Sequence, residues 1–137
     1  MRTVVTFGVW DLLHVGHVRF LERARGLGDF LVVGVPTDAV VKKDKGQVPI
    51  VPTDQRVAML WALRCVDHVK VYGMLDFLPV LEDFRPTELA VGQDWGGEPR
   101  HLEAMRWCKE NGCRVTRLLR TEGVSTSGLV ERIRSRT

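Results

Sequence analysis

The sequence predicts an α/β fold built on a doubly wound parallel sheet. Apolar, β-branched runs alternate with segments of helical spacing along the chain, as in successive strand–helix–strand units. Phe30-Leu31-Val32-Val33-Gly34-Val35 is a continuous apolar run, typical of a strand buried on both faces of a parallel sheet. Four polar clusters fall at strand C-terminal ends or in the loops after them, at residues 8–17, 37–45, 93–97 and 120–126. Ligands of doubly wound sheets sit beyond that edge, at the switch point of the strand order.

The elements follow in order. Residues 3–7 form the first strand, and residues 16–26 the first helix, stopped by Gly26 and Gly28. The buried run at 30–35 is strand two. A polar loop from Thr37 to Val51 carries Lys42, Lys43 and Lys45. Pro52 opens the next helix, because proline suits a first turn and Asp54 complements the dipole there. That helix holds Arg56 and ends near Arg64, with Met59, Trp61 and Leu63 expected in the core. His68 to Tyr72 alternates and reads as strand three. A short helix runs from Asp76 to Phe84, halted before Pro86. Residues 88–92 form strand four. Pro99 to Asn111 is a helix with Gly112 just past its end, and residues 113–118 form strand five. The last helix starts near Ser125 or Thr126, both good N-caps.

Composition narrows the function. A chain of 137 residues predicts one domain, 1–137, with a real core. No apolar run reaches the roughly 18 residues of a membrane span, so no membrane partner is expected. No leader is expected either, since the N-terminus runs straight into a strand. Cys65, Cys108 and Cys113 lack metal or disulfide spacing and fit a reducing, cytoplasmic setting. Net charge is +3, with 15 arginines against 5 lysines. The arginines suit phosphate ligands with their planar fork of donors. No nucleic-acid partner is expected, because there is no long basic block, aromatic series or binding motif.

The first strand-to-helix turn, Phe7 to His17, is the main candidate site. It lacks both G-x-G-x-x-G and G-x-x-x-x-G-K-[ST], so it is neither a dinucleotide fingerprint nor a P-loop. Unpaired N–H groups at such a helix start face anions. Gly8 and Gly16 allow close backbone approach. His14 and His17 lie three apart and project to one side. They suit phosphate contact, against the alternatives of a metal pair with Asp11 or a core role. Lys43 and Lys45 either are solvated or neutralise a triphosphate. Arg120 through Thr126 brings an arginine, a glycine turn and two hydroxyls to a second helix start, a second phosphate site or simply a good cap. Arg56 is a surface charge or a ligand contact. Asp11 and Asp38 follow strands, where a carboxylate orients a loop, holds a hydroxyl or approaches a metal.

His14-Val-Gly-His17 together with Arg120-Thr-Glu-Gly-Val-Ser-Thr126 resembles the nucleotidyltransferase superfamily of short cytidylyltransferases. The likeness is greatest to the glycerol-3-phosphate cytidylyltransferases, which share G-x-x-D-L-L-H-x-G-H, G-x-D-W-x-G and R-T-E-G-[IV]-S-T. The resemblance implies a Rossmann-like domain with a five-stranded parallel sheet in the order 3-2-1-4-5. It implies an enzyme that transfers CMP from CTP to a small phosphorylated acceptor, such as glycerol 3-phosphate or a related alcohol phosphate, sugar phosphate or phosphonate, and releases pyrophosphate. Mg²⁺ would accompany the triphosphate, no residue is assigned as a metal ligand, and a homodimer is expected.

By the same resemblance, His14, His17, Lys45 and Arg120 are the catalytic residues. Gly8, Val9, Trp10, Gly92, Asp94, Trp95, Thr121, Val124, Ser125 and Thr126 join His14, His17 and Arg120 around the nucleotide. Asp11, Asp38, Lys43, Lys45 and Arg56 meet the acceptor. Val9-Trp10 stands where the family commonly has Thr-Phe, and residues 72–77 lack the tryptophan expected for glycerol 3-phosphate. Lys45-Gly46, Val48-Pro49 and Gln55-Arg56 look more like the adenylyltransferases acting on heptose 1-phosphate. The alternative is therefore ATP with heptose 1-phosphate, another sugar phosphate or flavin mononucleotide. Two further readings are a non-catalytic nucleotide-binding module and a metal-dependent hydrolase using Asp11, His14 and His17.

Overall fold

The computed structural model describes every residue except Thr121, Glu122, Val124 and Thr137. The strands are β1 (Thr3–Phe7), β2 (Phe30–Pro36), β3 (His68–Tyr72), β4 (Glu88–Val91) and β5 (Arg114–Arg117). The helices are α1 (Val15–Arg25), α2 (Asp38–Lys45), α3 (Thr53–Trp61), α4 (Leu78–Phe84), α5 (Pro99–Glu110) and α6 (Thr126–Ser135). Every strand pairing is parallel, and the order is β3-β2-β1-β4-β5. This is the expected Rossmann-like sheet, with its switch point between β1 and β4.

Alternation along each strand feeds two cores. Val5, Val32 and Leu89 face Val40 of α2, Val80 and Leu81 of α4, and Ala104 and Trp107 of α5. Val4, Leu31, Val33 and Ala90 face Leu21 and Ala24 of α1 and Leu60 of α3. Leu21, Leu31, Leu60, Leu81 and Leu89 are completely buried, each contributing about 1.5–3 kcal/mol. Thr6, buried in the central strand, is satisfied by donating its hydroxyl to the Ala90 carbonyl at 2.8 Å.

Two expectations need correction. Residues 38–45 are helix α2, not loop. Thr37 caps it by accepting from the Val40 N–H, and Gly46 closes it at φ 85°. The left-handed turn needs glycine, so Lys43 and Lys45 ride on a helix. Met59 and Trp61 are 42% and 47% exposed, while Leu60 between them is buried. A helix places only one stripe against the sheet, and adjacent residues point apart.

The sheet positions the site through its strand ends. Phe7, Pro36 and Tyr72 are the last residues of β1, β2 and β3, and Gly92 and Leu118 follow β4 and β5. All five line one cavity of about 590 Å³.

Candidate active site

The turn between β1 and α1 forms one wall of that cavity. Trp10 and Leu12 hold positive φ angles of 61° and 50°, a costly conformation for large side chains. Trp10 is locked nonetheless. Its ring is buried, and its indole Nε1 donates to the Gly34 carbonyl at 3.0 Å. A Cβ on Gly8 would lie 2.9 Å from that ring, so glycine leaves the backbone open to the cavity just above the indole.

His14 is the N-cap of α1, and His17 is its third residue. The Nδ1 of His14 accepts the Gly16 N–H at 3.0 Å, and the Nδ1 of His17 accepts the His14 N–H at 3.1 Å. With Nδ1 accepting, each neutral ring carries its proton on Nε2. The rings lie 4.0 Å apart. Burial lowers the pKa of His14. Burial and the neighbouring His14 pull His17 down to about 4, against the opposing charge of Asp11. Both are therefore neutral near pH 7 and present Nε2–H donors beside a helix N-terminus.

A second helix start forms the adjoining wall. Ser125 caps α6 by accepting the Gly128 N–H at 2.9 Å, and Ser125, Thr126 and Ser127 line the cavity. The Thr126 hydroxyl donates to the Asp11 carbonyl at 3.3 Å, and Arg23 of α1 donates to the Leu119 carbonyl at 2.6 Å. These bonds hold the two N-termini in register. Two positive dipole ends thus converge on one space.

Arg120 and Asp94 form an ion pair at the rim, with side chains 61% and 77% exposed. Such a pair is worth roughly 0–1 kcal/mol, so it holds Arg120 only weakly. The turn carrying Asp94 is held by Arg117, whose Nη1 donates to the carbonyls of Gly92, Gln93 and Trp95.

The expected residues divide sharply. Gly8, Val9, Trp10, His14, His17, Lys45, Gly92, Asp94, Trp95, Arg120, Ser125 and Thr126 share the cavity. Thr121 and Val124 lie outside the described residues. Lys43, Asp11, Asp38 and Arg56 do not line it. Arg56, expected at the acceptor, is completely buried. It donates to the carbonyls of Val51 and Val9, both at 2.9 Å, to Asp38 Oδ1 at 2.7 Å and to Thr53 at 3.2 Å. Asp38, expected alongside it, thus faces Arg56. Asp11 also faces inward, accepting the N–H groups of Leu12, Ile50 and Val51. These residues brace the loops behind the cavity. Among the described residues no three His, Cys, Asp or Glu side chains converge as a metal site. The hydrolase triad of Asp11, His14 and His17 does not assemble, because the Nδ1 atoms and the Asp11 carboxylate accept backbone N–H groups.

Sequence reasoning missed Asp44, Tyr72, Phe77, Arg100 and His101, which also line the cavity. Tyr72 was findable as the last residue of a strand, where ligands gather. Asp44 was hidden in a segment read as loop.

The strand order, the cavity at the strand ends and the two helix starts that line it are those of an α/β domain of the nucleotidyltransferase class. Residues 5–132 match the family model described as cytidylyltransferase-like. The chain belongs to the cytidylyltransferase-like family. It is 40% identical over 135 residues to the bifunctional protein HldE of Citrifermentans bemidjiense and 38% identical to that of Geotalea uraniireducens. Each alignment covers 98% of this chain but only 27% of the relative. The chain thus spans about a quarter of the length of these curated relatives. Its fold matches the crystal structure of a lipopolysaccharide core biosynthesis protein from Thermoplasma volcanium, with TM-score 0.74 and 27% identity over 88% of this chain and 97% of that one. No described helix is long and apolar enough to cross a membrane.

Proposed function

We propose that this chain transfers the adenylyl group of ATP to a sugar 1-phosphate of the heptose class and releases pyrophosphate. The observation that carries the transfer chemistry is the pair of Nε2–H donors at α1, lining one cavity with the N-terminus of α6. The choice of nucleotide and acceptor has different support. CTP with a glycerol phosphate was the first expectation. The HldE relatives, the sugar-related solved structure and the likeness of residues 45–56 to heptose 1-phosphate adenylyltransferases favour ATP and a sugar phosphate.

In this reading an oxygen of the acceptor phosphate attacks the α-phosphorus. The new bond joins that oxygen to phosphorus, and the bond to the bridging oxygen of the β-phosphate breaks. The acceptor is already an anion, so no general base is needed. The chain supplies alignment and charge stabilisation. His14 and His17 donate to the α-phosphoryl oxygens. Arg120 and the backbone N–H groups of α6 hold the leaving pyrophosphate, and Lys45 attends the acceptor phosphate. Asp44 and Asp94 are the cavity carboxylates, and each is paired to an arginine. Mg²⁺ would accompany ATP as the Mg–ATP substrate and would offset charge on its phosphates.

Pyrophosphate release tests this directly. ATP, CTP, UTP and GTP are crossed with heptose 1-phosphate, other sugar 1-phosphates, glycerol 3-phosphate and flavin mononucleotide. Turnover with ATP and a sugar 1-phosphate is expected. Turnover restricted to CTP returns the chain to CMP transfer. Nucleotide binding without turnover on any pair makes it a binding module.

A further inference from the structure

The cavity is lined by polar and aromatic groups that the phosphate chemistry does not use. Tyr72, the last residue of β3, lines it together with Asp44 of α2, Phe77, and Arg100 and His101 of α5. We propose that Tyr72, with Asp44 and Arg100, recognises the hydroxyl groups of the acceptor and selects a polyhydroxylated sugar phosphate over a short alkyl phosphate. This rests on the reading given under Proposed function.

Tyr72 carries the argument. The residue is only 7% exposed. Its ring is held edge-on against Phe7 at 5.6 Å and Phe77 at 6.0 Å. No group among the described residues hydrogen-bonds its hydroxyl, yet that oxygen is not sealed away, because no buried side-chain oxygen lacks a partner. The hydroxyl therefore opens into the cavity that Tyr72 lines. A nearly buried hydroxyl without a protein partner is costly. A ligand hydroxyl placed there would satisfy it.

The neighbouring polar groups are equally fixed. Arg100 donates to Asp44 Oδ2 at 3.0 Å, to Glu98 Oε2 at 2.9 Å and to the Leu75 carbonyl at 3.2 Å. Its guanidinium lies 4.6 Å over the Phe77 ring. The side chains of Asp44 and Arg100 are only 15% and 19% exposed. Asp44 Oδ2 takes the arginine, and Oδ1 keeps its lone pairs for another donor. Aromatic walls with a few immobile donors and acceptors are how proteins fix the orientation of a polar small molecule. Lys45 Nζ lies 3.9 Å from Asp44 Oδ2, so an acceptor whose phosphate is held by Lys45 carries its hydroxylated body past Asp44 and toward Tyr72. A site built to bond a substrate hydroxyl discriminates strongly against analogues lacking it.

The test compares wild type with Tyr72→Phe and Asp44→Asn, using ATP and two acceptors, a sugar 1-phosphate and propyl phosphate. Tyr72→Phe keeps the buried ring, so folding is preserved. The expected result is a KM for the sugar phosphate raised about tenfold in each variant, the scale of one lost hydrogen bond. The preference for the sugar over propyl phosphate shrinks by the same factor, and the KM for ATP moves less than twofold. Unchanged preference in both variants, or an equal rise in the KM for ATP, overturns this inference and leaves the proposed function standing. No turnover by wild type on any sugar phosphate overturns that function and this inference together.

Discussion

Helices α1 and α5 begin with the same local device. Each has a histidine at its third position, His17 and His101, whose Nδ1 accepts backbone N–H groups just ahead of the helix. What the other nitrogen meets is different. His101 is stacked on Trp95 at 4.3 Å and on Phe77 at 5.8 Å, and its Nε2 lies 3.5 Å from Glu98 Oε2. His101 lines the cavity too, but its second donor has a carboxylate beside it. His17 and His14 have no acceptor for Nε2 among the described residues and face the cavity. The capping geometry fixes the tautomer in both places. Only the surroundings decide whether that tautomer leaves its donor without a protein acceptor at the cavity.

The two turns also differ in what stands behind them. The approach to α1 is braced by Arg56, which is completely buried. The approach to α5 is braced by Arg117, which holds three carbonyls from an exposed position. The largest effect is therefore expected at Arg56. Arg56→Ala leaves the Val9 and Val51 carbonyls without their donor and opens a void, at a cost of about 3 kcal/mol. Arg117→Ala is expected to cost about 1 kcal/mol, because water replaces the lost donor. Urea denaturation of both variants checks the ranking. Equal costs would mean that burial does not separate the two braces.

Turnover separates the histidines. His14→Ala and His17→Ala are expected to lower kcat by about 10²-fold or more, the scale of a lost donor to transition-state charge. His101→Ala is expected to lose less than tenfold in kcat, along with about 1 kcal/mol of stability from the missing cap. Steady-state kinetics on the three variants decides it. A His101 variant as slow as the His17 variant would erase the distinction drawn between the two helix starts.

Acid conditions sharpen the contrast further. The folded pKa of His17 is depressed from 6.5 to about 4, so the native state disfavours its protonation. The stability linked to that group is complete above pH 6.5 and is lost as pH falls through about 4. Thermal melts between pH 7 and pH 4.5 are expected to show a smaller acid-induced drop in Tm for His17→Asn than for wild type. In kcat/KM, which reports the free enzyme, no falling limb from His17 is expected between pH 8 and pH 5. A limb near pH 6.5 would show a solvated, unperturbed imidazole.

The sequence carried much of this arrangement because the informative signals were local. The buried run at 30–35, the alternation at 68–72 and the glycines after helices gave the sheet and its edge. The H-x-G-H spacing placed two rings on one helix start. What escaped was long-range or ambiguous. Thr37, Asp38 and Gly46 are good helix signals, but three lysines between them read as loop. Arg56 looked like a ligand contact because nothing local revealed that Val9, 47 residues away, would claim its Nη1. Tyr72, Arg100 and Asp44 come together only through the crossing of β3, α5 and α2, which no spacing displays.

The smallest effect is expected where the turn ahead of α5 meets the one ahead of α6. Asp94 and Arg120 pair across the rim while both remain largely exposed, unlike the fixed donors of α1. An exposed pair of this kind contributes roughly 0–1 kcal/mol and weakens with salt. Asp94→Asn is therefore expected to change stability by less than about 1 kcal/mol. If Arg120 must leave Asp94 to reach the triphosphate, removing the competing carboxylate lowers the KM for ATP, by no more than about threefold for so weak a pair. Arg120→Ala removes the cation itself and raises that KM in the opposite direction. Measuring KM at low and high salt separates two roles for Asp94. A gain that fades with salt marks Asp94 as the competitor that holds Arg120 before the nucleotide arrives. A rise in KM in Asp94→Asn, at any salt, would instead make Asp94 a nucleotide contact in its own right, with the rim as preorganised as the α1 wall.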